Sequence, residues 1–307
     1  LVGSEMCIRD RVLSEKYKAF LRCNAPVEFL EGTTAAGKTT VGLFKFMCKV
    51  AESPKKLHIL AADDTGTAEK NIINKDLGIL DDFGVLVEYN GSGTKDDKIP
   101  HLLFHAPNGD KVIYVLGYGN KKKWKKALGG QYGCLYIDEI NTADIEFVRE
   151  SSMRCDYLMA TLNPDDPGLD VYKEYINCSR PLPEWEDSTP REIKDELKEE
   201  PKPGWVHWFF SFDDNAGLPE KKKQQIIKKV ATECKKCVVG ALYDDFDGVI
   251  YSFDLKESGL ILNYCIYDFM LRHKSELEKL NYYSWARFLE QVNDDNALIR
   301  VINKLEL

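Results

Sequence analysis

The chain has 307 residues, 44% of them hydrophobic and 30% charged, with a formal net charge of -8 and a pI near 5.3. That length suits one large domain or a domain with a smaller appendage, and the composition suffices to bury a core. The acidic balance argues against a uniformly basic nucleic-acid coat, and no apolar run approaches the roughly 20 residues that cross a bilayer.

The opening stretch LVGSEMCIRDR (1–11) differs in texture from the rest of the chain. It resembles translated sequencing-adapter read-through and is set apart as an artefact. Residues 15–23 suit a short helix, and Val27–Leu30 a buried strand turning at Glu31-Gly32. A helix is expected from Lys38 to just before Pro54, with Val41, Phe44 and Cys48 facing a sheet. Leu57–Ala61 reads as a second strand and residues 68–80 as a second helix.

HLLFHA (101–106) and KVIYVLGYG (111–119) are strand-like runs about a turn at Pro107-Asn108-Gly109-Asp110, an expected antiparallel edge. Cys134–Ile137 and Tyr157–Thr161 read as interior strands lying side by side, with a helix at Ala143–Glu150 between them. Residues 177–203 are charged and proline-rich, as in a surface excursion. Trp205–Phe210 returns to strand character, Pro219–Cys234 to a basic helix, and Tyr243–Phe253 closes the domain; 257–307 reads as a short, mostly helical tail. The rhythm predicts an α/β fold with a mainly parallel central sheet, helices on both faces and an antiparallel edge. Nine scattered cysteines fit a reducing compartment, and the close pair Cys234 and Cys237 lacks partners for a structural zinc.

The chemistry concentrates in two segments. Gly32-Thr33-Thr34-Ala35-Ala36-Gly37-Lys38-Thr39 matches G-x-x-x-x-G-K-T/S, a phosphate-binding loop between a strand and a helix. The glycines let the backbone curl so that N–H groups point at phosphate oxygens, and the helix start adds its positive dipole end. Lys38 then reaches the β- and γ-phosphates, Thr39 a Mg²⁺ ion, and Thr40 is a secondary contact. The second segment is the apolar run Cys134–Ile137 ending in Asp138 and Glu139 at the C-terminal edge of a strand, where such sheets put ligands. Asp138 is expected to hold Mg²⁺ and Glu139 to direct the attacking water. Thr161 and Asn163, ending the neighbouring strand, are candidates for sensing the γ-phosphate. Lys121, Lys122, Lys123, Lys125 and Lys126 offer a basic surface, read equally as a solvated helix end or as a nucleic-acid contact. A charge-neutralising arginine is expected as well; Arg22, Arg149, Arg154 and Arg180 are available, or a neighbouring subunit could donate one.

These segments resemble the ATPase half of a tailed-phage terminase large subunit. The resemblance rests on LEGTTAAGKTTVG (30–42), YGCLYIDEI (132–140), MATLNPDDP (159–167), WFFSFDDNAGLPE (208–220) and VVGALYDDFDGVIYSF (238–253), covering about residues 24–256. It implies a P-loop NTPase of the additional-strand, catalytic-glutamate type over 12–256, with ATP and Mg²⁺ as cofactors. It carries the family's roles onto Lys38, Thr39, Asp138, Glu139 and Thr161–Pro164. It further implies double-stranded DNA, a portal ring, a small terminase subunit and other copies of the chain as partners, with no membrane. The expected setting is the bacterial host cytoplasm, docked on a procapsid. Many members carry an arginine inside the phosphate loop, where this chain has Thr33-Thr34-Ala35-Ala36. Too little sequence comes after Phe253 for the family's nuclease domain, so no nuclease activity is expected. A helicase-like DNA-dependent ATPase, a small-molecule kinase and a nonenzymatic nucleotide-gated scaffold remain alternatives.

Overall fold

The structure is a computed structural model that describes residues 13–95 and 97–225. The chain divides into two compact units, Leu1–Gly217 and Leu218–Leu307. In the second, residues 220–225 are helical; the rest of the helix expected over Pro219–Cys234 lies outside the described residues. The expectations for 1–11, Cys234, Cys237, 243–253 and 257–307 lie outside the described residues.

In the first unit, Ser14 caps helix α1 (Glu15–Arg22) by accepting from the Tyr17 N–H. Strand β1 (Val27–Gly32), helix α2 (Lys38–Glu52) and strand β2 (Leu57–Ala62) come after it. Next are α3 (Thr65–Ala68), α4 (Ile79–Phe83), β3 (Val87–Asn90), β4 (His101–Ala106) and β5 (Gly109–Gly117). Helix α5 (Lys121–Ala127), β6 (Tyr132–Ile137), α6 (Ile145–Ser152) and β7 (Cys155–Leu162) succeed them. Then α7 (Asp170–Glu174), α8 (Arg191–Glu196) and β8 (Trp205–Phe210) complete the unit.

Among the described residues the strands form one 8-stranded sheet, in the order β3-β4-β5-β2-β6-β7-β1-β8. Pairing is parallel from β5 through β8 and antiparallel from β3 to β5. The parallel body, the antiparallel edge and the β6–β7 neighbourhood all agree with expectation. Because β7 lies between β1 and β6, the phosphate-loop strand and the acidic-pair strand are separated by one strand. Side-chain alternation buries both faces. Leu30, Tyr136 and Met159 join α1, α2 and α4 in one core, while Phe29, Leu135 and Ile137 join α5, α6 and α7 in the other.

Three expectations need correction. In α2 the sheet-facing row is Gly42 and Phe46, against Met159 and Tyr136, whereas Phe44 packs on Phe83 and Cys48 is half-buried. The helix expected at 68–80 is instead α3 running into a π-turn (Glu69–Ile73), a turn, and then α4. Its break arises at Leu77, with φ 58°, and at Gly78, where a Cβ would lie 2.6 Å from the Ile72 carbonyl oxygen. The 177–203 excursion is also structured: short 3-10 turns and α8 fold back, burying Ile193 and Leu197.

Within the core, Glu28 and Lys45 form a buried ion pair 2.6 Å long with side-chain exposures of 0% and 2%. Tyr157 and Trp208 also donate to Glu28, at 2.7 and 3.0 Å, and Lys45 donates to the Phe20 carbonyl. Removing one partner strands the other charge, so Glu28→Ala is expected to destabilise the fold by about 3–5 kcal/mol. Urea unfolding checks this, and the apolar double replacement Glu28→Leu with Lys45→Met is expected to recover most of the loss.

Candidate active site

At the C-terminal end of β1 the chain turns through Gly32, with φ 151°, Ala35 with φ 64° and Gly37 with φ 90°, before α2 begins at Lys38. Gly32 is required by close approach: a Cβ there would sit 1.8 Å from the Phe210 carbonyl oxygen. Two side chains hold the crown of this loop. Tyr17 donates to the Ala36 carbonyl at 2.8 Å, and Asn215 to the Ala35 carbonyl at 2.7 Å. Tyr17 is itself fixed by stacking on Phe210 at 4.1 Å.

Lys38 is buried and donates to the carbonyls of Gly32 (2.7 Å) and Thr33 (2.8 Å) and to Asn163 Oδ1 (3.1 Å). Burial pushes its ammonium down to about 8, against the opposing pull of Glu31, Asp138 and Glu139. Asp138 comes directly after β6, and its backbone N–H is held by the Ala61 carbonyl of β2. Its Oδ1 accepts from Thr161 (2.7 Å), Tyr136 (3.2 Å) and Thr39 (3.5 Å). Its Oδ2 carries no hydrogen bond among the described residues. Glu139 is left-handed, at φ 52° and ψ 54°, an unusual state for a residue other than glycine. Thr161 accepts from its N–H at 3.3 Å, while Thr142 N–H and Tyr118 hold its carbonyl at 2.9 and 3.3 Å. Burial and the neighbouring Asp138 raise its carboxyl above the usual range.

A cleft of about 370 Å³ opens here, lined by Thr33, Thr34, Ala35, Ala36, Gly37, Lys38, Thr39 and Thr40 on one side. Glu139, Thr161, Leu162, Asn163, Asn215 and Lys75 complete the lining, and Asp138 lies just beneath, bonded to Thr39 and Thr161. All sequence-expected phosphate, metal and sensing residues therefore meet at one place. The expected arginines do not: Arg149 pairs with Glu174, Arg154 with Glu150, and Arg180 bonds backbone carbonyls, and none of these or Arg22 lines the cleft. Sequence reasoning does not single out Tyr17, Lys75 or Asn215. Of these only Asn215 carries a signal, within the phrase DDNAGLPE.

The lysine run forms α5, directly after β5, whose end shares the sheet edge of β1, β6 and β7. Trp124 anchors this helix, buried against Phe147 at 5.5 Å. Lys121 pairs with Glu146, while Lys122, Lys125 and Lys126 are exposed, and Lys123 shares the helix.

No family model matches the sequence, and no curated protein matches it. Among solved structures the chain is similar to the large terminase of a thermophilic bacteriophage. One crystal form aligns at 19% identity and TM-score 0.53, over 70% of this chain and 50% of that one. A second form aligns at 18% identity and TM-score 0.52, over 78% and 51% of the two chains. The Thermus phage P74-26 large terminase ATPase domain aligns at 11% identity and TM-score 0.49, over 70% and 86%. Over the matched residues the chain thus has a fold found in large terminases, and its match spans about half the length of the thermophilic phage protein.

Proposed function

We propose that this chain is the ATPase part of a tailed-phage large terminase, hydrolysing ATP with Mg²⁺ to drive double-stranded DNA into a procapsid. One observation carries the reading: groups from the ends of three strands converge on one cleft. They are Lys38 after β1, Asp138 and Glu139 after β6, and Thr161 and Asn163 at the end of β7. Loop N–H groups and the start of α2 bind the phosphates. Lys38 exchanges its carbonyl contacts for phosphate oxygens. The Thr39 hydroxyl and Asp138 carboxylate are hard oxygen donors, and the unbonded Oδ2 suits them to Mg²⁺. Held by these two side chains, Mg²⁺ would supply positive charge against the phosphates.

Glu139 orients water against the γ-phosphorus. The water oxygen bonds to that phosphorus as the bond to the β–γ bridging oxygen breaks. ADP leaves with the bridging oxygen and its electron pair, and the water proton passes to Glu139 and then to the released phosphate. Thr161 and Asn163, bonded to Asp138, Glu139 and Lys38, are the groups through which β7 registers the change.

The exposed face of α5 would meet DNA through phosphates, since a packaging motor must accept any sequence. The portal ring, a small terminase subunit and further copies of the chain would complete the machine in the host cytoplasm. Phosphate release tests the reading with and without duplex DNA. Wild type is expected to hydrolyse ATP and Lys38→Ala to lose hydrolysis. DNA stimulation is expected to fall by an order of magnitude or more between about 50 and 200 mM salt. The triple replacement Lys122→Glu, Lys125→Glu and Lys126→Glu is expected to lose the stimulated fraction. Salt-independent stimulation would count against this surface.

A further inference from the structure

Transfer of a γ-phosphoryl group concentrates negative charge on its oxygens, and NTPases of this class meet it with a second cation beyond the loop lysine. Among the described residues that line the cleft, the basic side chains are Lys38 and Lys75. Lys38 is occupied by two carbonyls and Asn163, whereas Lys75 makes no side-chain hydrogen bond or ion pair among the described residues. We propose that Lys75 supplies the second positive charge to the γ-phosphoryl group of a bound nucleoside triphosphate, from within the same chain.

The backbone is built to bring it there. After α3 the π-turn adds a residue, closing with Asn74 N–H on the Glu69 carbonyl at 2.8 Å. Gly78 N–H then returns to the Lys75 carbonyl at 2.9 Å, and Asp81 holds the Leu77 N–H at 2.8 Å. Leu77 at φ 58° is strained, and Gly78 tolerates no Cβ, 2.6 Å from the Ile72 carbonyl oxygen. A regular helix over 68–80 would have avoided these costs but would not have made this turn. Lys75 is half-buried, and burial lowers its proton affinity below that of an ordinary lysine, against the pull of Asp138 and then Asp82.

The inference rests on the ATP-hydrolysis reading, and its test separates the two. Single-turnover hydrolysis, ADP affinity and affinity for ADP with fluoroaluminate in Mg²⁺ buffer are measured for wild type, Lys38→Ala, Lys75→Ala and Lys75→Arg. Lys75→Ala is expected to hydrolyse ATP about 100-fold more slowly or worse, yet to bind ADP within about threefold of wild type. It should lose the tighter binding of ADP with fluoroaluminate, and Lys75→Arg should keep most of both properties. Adding Glu139→Gln chains, which carry an intact Lys75, should not restore Lys75→Ala. Wild-type turnover in Lys75→Ala would overturn the inference alone, as would restoration by the added chains. Loss of ADP affinity in both Lys75 variants would also overturn it, marking a structural role. Absence of hydrolysis and nucleotide binding in wild type would overturn the parent reading.

Discussion

Glu139→Gln is expected to reduce single-turnover ATP hydrolysis by about 10²–10⁴-fold, the usual contribution of a positioned general base, while ATP binding stays within about threefold. The expectation comes from how the residue is held. Its backbone sits in the left-handed region, a state costing about 1–3 kcal/mol unless neighbours enforce it. Thr161, Thr142 and Tyr118 enforce it by bonding the N–H and carbonyl. The amide keeps the shape and these backbone bonds, so the loss is confined to accepting and polarising the water. Rapid-quench hydrolysis and a fluorescent-nucleotide titration read the two quantities separately. Retention of a tenth or more of the wild-type rate would remove Glu139 from the water-directing role.

Gly32→Ala should act on the whole fold, costing more than about 4 kcal/mol, in the range reserved for steric conflict in a packed interior. The new methyl would lie 1.8 Å from the Phe210 carbonyl oxygen. That oxygen cannot retreat cheaply, because it accepts the Thr33 N–H at 3.0 Å and β8 is in register with β1 along its length. Gly37→Ala provides the contrast. Its nearest neighbours are 3.6 Å away, so only the φ of 90° is strained, and a loss of about 1–3 kcal/mol is expected. Urea unfolding of the two variants distinguishes them, and equal losses would contradict the account of Gly32.

Much of this site is legible in sequence because its chemistry is written in consecutive residues. A phosphate loop is a local device: its glycines, lysine and threonine act through one turn of backbone, so the motif carries its own geometry. The run Cys134–Glu139 is readable for the same reason, as an apolar strand with carboxylates at its end. The place of β7 beside β6 accords with chain order and strand character. What escapes reading depends on residues far apart in sequence. Tyr17 and Asn215 act on the loop from positions before and after it, and nothing local says that they touch it. Gly32 reads as a glycine for curling backbone, yet its tightest constraint is Phe210, its partner on the neighbouring strand β8 and far away in sequence. Lys75 sits in a stretch whose apolar spacing imitates a plain helix, and the π-turn that redirects it has no periodic signature. The arginine candidates fail in the opposite way, since residue type alone suggests them and their partners lie elsewhere.

The two carbonyls captured by Tyr17 and Asn215 belong to adjacent residues, Ala36 and Ala35, at the summit of the loop. With the Ala36 N–H also held by the Thr33 carbonyl at 3.3 Å, the loop keeps one course of backbone before any ligand arrives. The entropy lost in ordering this turn is thus already surrendered during folding, and arriving phosphate meets a preorganised receptor that need not wrap around it.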